Sequence, residues 1–345
     1  MCTSHDVDDN TASADPRDGY RLAENWPQYP QDMKFEMGSG VAVDDAGIVY
    51  LFTRDVEHWA AHPLAMQDKM GKSSISMFTR DGAYLGKWGP SDERGFALGG
   101  HTLYIEKDGM FWTTDRDGHT VRKYHPDGTL LLELGTFAEW GCDETHFNGP
   151  TAVVVLDDGT IVVADGYWNS RLVWFTETGE FIKSVGTWGR GPAEFNTPHA
   201  LTVDSQNRIL VADLCGGNFH DYMTVPGQIS QQRTQVDKDS QHRIQRLTAE
   251  GEFIDEWTHI MPLSLASYGN RIYASDRMSN LAILDEETGD VISRVDDIAI
   301  YIHQLAMDAN GDLYTASVYP EHAGAARGPS GPSHRRWTRA DLAAA

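Results

Sequence analysis

Residues 151–167 read TAVVVLDDGTIVVADGY, two runs of β-branched residues joined by an Asp-Asp-Gly turn. Apolar runs this short, broken by an Asp-Gly pair, are the pattern of a β-hairpin. After the polar stretch at 168–171, LVWFTETGEFIKSVG (172–186) repeats the arrangement with a Thr-Gly turn, so one unit carries four strands. The unit recurs on both sides: GVAVDDAGIVYLFTRD (40–55), HTLYIEKDGMFWTTDRD (101–117), HALTVDSQNRILVADL (199–214), HQLAMDANGDLYTASV (303–318) and, less regularly, LSLASYGNRIYASDR (263–277). Second hairpins follow as MFTRDGAYLGKWG, RKYHPDGTLLLELG, RIQRLTAEGEFIDEW and LAILDEETGDVISRV. Four-stranded units at a period of roughly 40 to 50 residues are the signature of propeller blades, and six units predict an all-β, six-bladed β-propeller. An open β-solenoid or a pair of sandwiches is the competing arrangement.

After the sixth unit only HRRWTRADL (334–342) can supply a third strand, which leaves that blade one outer strand short. RLAENW (21–26) is expected to provide it, closing the ring and leaving no open sheet edge between the chain ends. The domain plan is thus a polar, acidic, disordered tail over 1–18, then a single propeller over 19–345 with an insertion at 215–241.

The formal net charge of −23 argues against a nucleic-acid or anionic-membrane partner, since both need a basic face. The first 18 residues lack the apolar run of a secretory signal, and no later stretch has the roughly 18 uninterrupted apolar residues of a spanning helix. Three cysteines, Cys2, Cys142 and Cys215, make no disulfide framework, which points to a soluble protein of the reducing cytoplasm.

His101, His199 and His303 each open the innermost strand of a blade, in blades 2, 4 and 6, where Gly40, Thr151 and Leu263 stand in the other three. Alternate blades of a six-fold ring lie about 120° apart and their inner strands start near the axis, so the imidazoles should converge. Three neutral imidazoles with an open fourth position are the ligand set of a catalytic zinc, Zn2+. A single channel-lining histidine is ordinary, but three at alternate equivalent positions are not. His119, His125 and His259 lack this symmetry and read as surface residues.

In an up-and-down blade the second strand returns to the face where the first began. Residues at or after its end, Arg54, Tyr167, Leu214 and Arg277, are therefore expected on the metal face, as are the long insertions at 55–74, 90–98, 137–147, 215–241 and 319–334. Loops gathered on one rim of a rigid scaffold build a pocket, here for a small-molecule or peptide-derived substrate. Tyr167 and Arg54 are the leading catalytic candidates: a phenol beside a metal and a guanidinium has its pKa lowered toward that of a useful base, and the guanidinium can grip a carboxylate or oxyanion. Their bland alternatives are a rim aromatic and a surface ion-pair partner.

The stretches GVAVDDAGIVYLFTR, GGHTLYIEKDG, VADGYWNSRLVWF, FNTPHALTVD and IHQLAMDANGDLY, in that order, resemble the catalytic domain of the peptidyl-α-hydroxyglycine α-amidating lyase family, built of NHL repeats, across residues 19–318. DGYWNSR is the most specific match. The resemblance implies a six-bladed propeller whose zinc is held by His101, His199 and His303, flanked by Tyr167 and Arg54. It also implies cleavage of the C–N bond of an α-hydroxyglycine carbinolamide to an amide and glyoxylate. The family's structural calcium, Ca2+, would use the carbonyls of Val41 and Leu103 and an aspartate where this chain has Gln304, so calcium is expected to be absent or weakly held.

A family arginine in blade 4 is matched by Leu214, with Arg277 one blade on as a partial substitute for gripping substrate. Trp168 replaces a family cysteine, so a disulfide there is absent. The 215–241 insertion adds His220, Asp221 and Tyr222 beside the pocket, and His220 is a further candidate for substrate binding. No stretch reads as a monooxygenase domain, so an amidating role is expected to need a partner enzyme. Two other functions compete with a metal-dependent lyase. A non-catalytic NHL platform for protein binding has no use for three axial imidazoles, and a calcium-dependent propeller hydrolase needs axial Asp, Glu and Asn, which the inner strands do not offer.

Overall fold

A computed structural model of the chain describes residues 19–31, 33, 37–54, 73–89, 97–214, 242–276, 281–295, 298, 302–318 and 333–339. The expected tail at 1–18, the 215–241 insertion with His220, Arg277, and most of the other long insertions lie outside the described residues. Six four-stranded antiparallel sheets make up the fold. Blade 1 is β2 (Met37–Val43), β3 (Val49–Arg54), β4 (Ser74–Phe78) and β5 (Tyr84–Trp88). Blade 2 is β6 (Gly100–Ile105), β7 (Phe111–Asp115), β8 (Thr120–Tyr124) and β9 (Leu130–Leu134). Blade 3 is β10 (Ala152–Val155), β11 (Ile161–Asp165), β12 (Arg171–Phe175) and β13 (Phe181–Val185). Blade 4 is β14 (Thr197–Val203), β15 (Ile209–Leu214), β16 (Arg243–Leu247) and β17 (Phe253–Trp257). Blade 5 is β18 (Pro262–Ser267), β19 (Arg271–Asp276), β20 (Leu281–Asp285) and β21 (Val291–Val295).

Blade 6 joins the two ends of the chain. Its sheet runs β22 (Ile302–Met307), β23 (Leu313–Ser317), β24 (His334–Arg339), β1 (Tyr20–Leu22), with Tyr20 opposite Arg339 and Leu22 opposite Trp337. The N-terminal strand therefore closes the ring, as the missing outer strand required. Tyr20 anchors it: the ring is buried and its hydroxyl donates to the Gly311 carbonyl at 3.1 Å.

Inner strands β2, β6, β10, β14, β18 and β22 each touch the next around a closed circle. The apolar core is correspondingly six seams between neighbouring blades rather than one central mass. Ala152, Val162 and Trp174 meet Leu201, Ile209 and Val211 at the seam of blades 3 and 4, for example. Inner blade strands are covered on both faces, which is why VVVL and IVVA read as continuous apolar runs. No helix occurs among the described residues, so none there is long and apolar enough to cross a membrane.

The aspartate at the end of the second strand in blades 2 and 3, and one residue before it in blade 4, is a building device. Asp115 accepts the N–H groups of Leu98, Gly99 and Gly118, Asp165 that of Asn148, and Asp213 those of Asn196 and Thr197. Each carboxylate thus pins the loop that leads into the innermost strand of its own blade. Asp165 and Asp213 are also paired with Arg171 and Arg243 at 2.9 and 3.1 Å.

Candidate functional site

The start of the inner strand carries a one-residue irregularity in blades 1, 2, 4, 5 and 6. An extra residue in one strand re-aims a side chain, here out of the sheet. His199, Leu263 and His303 are the extra residues of blades 4, 5 and 6, and His101 lies in the irregularity of blade 2. In blade 1 the extra residue is Ser39, which corrects the placing of Gly40 at that position: Gly40 is paired with Phe52, one step further along.

The six positions work as donor and acceptor in alternation. His101 Nδ1 lies 2.7 Å from the Thr151 carbonyl, His199 Nδ1 2.7 Å from that of Leu263, and His303 Nδ1 2.6 Å from that of Ser39. Each histidine is held by the equivalent residue of the next blade. A carbonyl can only accept, so each ring carries its proton on Nδ1 and turns an unprotonated Nε2 to the axis.

The three rings converge, with centroids 4.4 to 5.0 Å apart and all three side chains buried. The Nε2 atoms of His101 and His303 are 3.2 Å apart. Two lone pairs do not bond each other, but tetrahedral Zn–N bonds of ~2.0 to 2.1 Å put ligand nitrogens about 3.3 Å apart, so this pair has the spacing of two ligands of one ion, and the cluster as a whole brings its ligand atoms within 4.8 Å of one another. It is also the metal-competent group of His, Cys, Asp and Glu side chains found among the described residues. Burial, then the neighbouring imidazoles, hold the pKa of His101 and His303 well below the usual value, which keeps both neutral at pH 7.

Tyr167 stands over this cluster from blade 3. Its hydroxyl is 3.0 Å from His101 Nε2 and 3.4 Å from His199 Nε2. Its main chain is fixed by the Gly149 carbonyl, which accepts the Tyr167 N–H at 3.2 Å. Arg54 is buried beside it, with Nε donating to the Gly100 carbonyl. Gly100 is required there, since a Cβ would lie 2.1 Å from the Phe52 ring. Burial, followed by the Arg116 charge, lowers the Arg54 pKa to about 10, which leaves it a cation at neutral pH.

The expected lowering of the Tyr167 pKa is not what the protein matrix produces. Burial pushes the phenol above its usual value; the charges of Arg116 and Arg54 act in the expected direction and are outweighed.

Two buried residues close to Tyr167 were missed or misplaced by the sequence reading. Arg116 is buried, grips Asp117 through two bonds of 2.8 and 2.7 Å, and sits 5.6 Å from the Tyr167 ring centroid. Its signal was available: it follows Asp115 at the end of β7, where Arg54 ends β3 in blade 1. His119 is the second. It is buried rather than on the surface, in a left-handed conformation of φ 55°, and its Nδ1 accepts the Gly149 N–H at 3.2 Å. Burial lowers its pKa to about 4. His125 and His259 are exposed, as read.

Val41, Leu103 and Gln304 meet further along the axis. Gln304 Oε1 accepts the N–H groups of Val41 and Leu103 at 3.2 and 3.1 Å, and Nε2 donates to the Leu103 carbonyl at 2.6 Å.

Comparison with known proteins places this architecture. A family model described as a 6-bladed beta-propeller matches residues 142–237. NHL repeat-containing protein 3 of Homo sapiens is 34% identical over 206 residues, 56% of this chain and 54% of that one. The probable peptidyl-alpha-hydroxyglycine alpha-amidating lyase pgal-1 of Caenorhabditis elegans is 30% identical over 212 residues, 55% of this chain and 59% of that one. Both are homologues of this chain. The chain spans little more than half the length of each. Virginiamycin B lyase from Staphylococcus aureus superposes with a TM-score of 0.53 at 13% identity, covering 88% of this chain and 95% of that one, a likeness of fold.

Proposed function

We propose that this lyase-like propeller is a metal-dependent lyase that cleaves an α-hydroxylated carbinolamide, or a related hemiaminal, at its C–N bond. The observation that carries the reading is the convergence of three unprotonated Nε2 atoms with the Tyr167 hydroxyl, 3.0 Å from one of them and 3.4 Å from another. Homology to proteins named amidating lyases supports the same class. His101, His199 and His303 would hold a zinc ion, which when bound would supply Lewis acidity toward a substrate oxygen. The rest falls to the chain's own groups. Tyr167 Oη, protonated because burial raises its pKa, works as a relay: it takes the proton of the substrate hydroxyl as it gives its own to the leaving amide nitrogen, while the C–N bond breaks and the C–O bond becomes a carbonyl. No water is consumed. Arg54 and Arg116, both cationic and buried, balance charge that develops on oxygen and orient a carboxylate.

The test is incubation of the purified chain with α-hydroxyhippurate, following glyoxylate and benzamide together. Equal amounts of both at a rate well above the uncatalysed one support the reading; breakdown at the uncatalysed rate contradicts it. The similarity to NHL repeat-containing protein 3 favours a second reading, a non-catalytic platform for protein binding. On that reading the same assay stays at background and removing any one of the three imidazoles changes only stability.

A further inference from the structure

We propose that the amide of Gln304 stands in place of a second, structural metal ion and does that ion's work of tying blades 1, 2 and 6 together at the axis. The calcium implied by resemblance would need oxygen ligands converging on one point, among them the carbonyls of Val41 and Leu103. The residues present do not fit it. The point they enclose is occupied by Gln304 Oε1, toward which the N–H groups of Val41 and Leu103 both point at 3.2 and 3.1 Å. With Oε1 held by two N–H groups, the end of the side chain left to meet a cation is Nε2, which is itself a donor and ligates nothing. The Leu103 carbonyl that would ligate it already accepts Gln304 Nε2 at 2.6 Å.

The donor pattern fixes the orientation of the amide, because oxygen faces only donors and nitrogen only a carbonyl. Gly40 completes the fit, since a Cβ there would come within 2.8 Å of Gln304 Oε1. One neutral side chain thus makes three hydrogen bonds across three inner strands, β22, β2 and β6. Access does not explain the difference: Val41, Leu103 and Gln304 line an axial cavity of about 520 Å³, ample for hydrated ions.

The experiment compares wild type, Gln304→Asp and Gln304→Leu in the full chain by thermal melting, each dialysed against a calcium chelator and then measured with and without millimolar calcium, alongside calcium content by mass spectrometry. Wild type should hold no calcium and melt at the same temperature in both. Gln304→Leu should melt several degrees lower with no rescue by calcium. Gln304→Asp should melt lower in chelator and recover on calcium addition with about one ion bound per chain, because a carboxylate restores a cation ligand. Wild type that keeps calcium through dialysis, or that loses several degrees in chelator and regains them with calcium, overturns the proposal. A Gln304→Asp chain that folds but ignores calcium overturns the claim that the amide stands in the ion's place. Should Gln304→Asp not fold even with calcium present, the proposal is overturned equally, since restoring the carboxylate and the ion should restore the link.

Discussion

At the scale of single residues, the centre depends on protons being fixed where lone pairs are wanted. Three backbone carbonyls, from Ser39, Thr151 and Leu263, take the Nδ1 protons, and the Nε2 atoms are left to face one another. Tyr167→Phe deletes one oxygen from this arrangement while keeping a buried ring in place. It should leave metal content and melting temperature near wild type and lower turnover about 10² to 10⁴-fold, the usual worth of a positioned acid or base. Steady-state kinetics beside metal analysis checks it; near wild-type turnover would move the proton-transfer role to another group. The histidines were legible in the sequence because equivalence around a ring is a matter of counting repeats. Arg116 was legible in principle, by the same counting that found Arg54. His119 was not: its burial follows from the fold of the 117–120 turn against Gly149, and nothing in HTVRKY signals a histidine in the left-handed region.

At the scale of elements, the blades are held by buried charges that recur with the repeat. Asp165 is fully buried, bonds Arg171 at 2.9 Å and accepts the Asn148 N–H. Asp165→Ala leaves the Arg171 guanidinium buried without that carboxylate, and removing one partner of such a pair costs about 3 to 5 kcal/mol. Urea unfolding should register a loss of that size; a loss under about 1 kcal/mol would mean that the pair is replaceable by water. The repeat Asp was visible in TIVVADGY, yet its role as a pin for the loop into the inner strand was not, because its partners lie 16 or 17 residues earlier in sequence. The irregularity that makes Ser39 rather than Gly40 the equivalent of the histidines was hidden for a related reason. An extra residue in a strand changes register without changing the apolar pattern on either side.

At the scale of the whole molecule, closure and pH dependence come together in β24. His334 is fully buried, with Nε2 near the Gly40 carbonyl at 3.2 Å and Nδ1 beside the hydroxyls of Ser333 and Tyr29, and burial lowers its pKa to about 4. An unfolded histidine titrates near ~6.5. Between these values the unfolded chain binds the proton and the folded chain does not, so stability is full above pH ~6.5 and is lost as pH falls toward 4. About 3 kcal/mol is lost by the lower end of this window, and His119 acts in the same sense. His334→Gln should flatten the stability profile across this window; an unchanged acid slope would assign the loss to other groups.

Six blades and the strand exchange between the chain ends were legible because both follow from repeat arithmetic and the missing outer strand, which β1 supplies. The most direct test of the account is transition-metal content in wild type and His199→Ala, each purified without chelator and exchanged into metal-free buffer. About one zinc per wild-type chain, and loss of most of it in His199→Ala with the fold retained, is the result that three convergent imidazoles predict. A folded wild-type chain that takes up no transition metal, or a His199→Ala chain that holds it as tightly, would contradict a metal centre at this site.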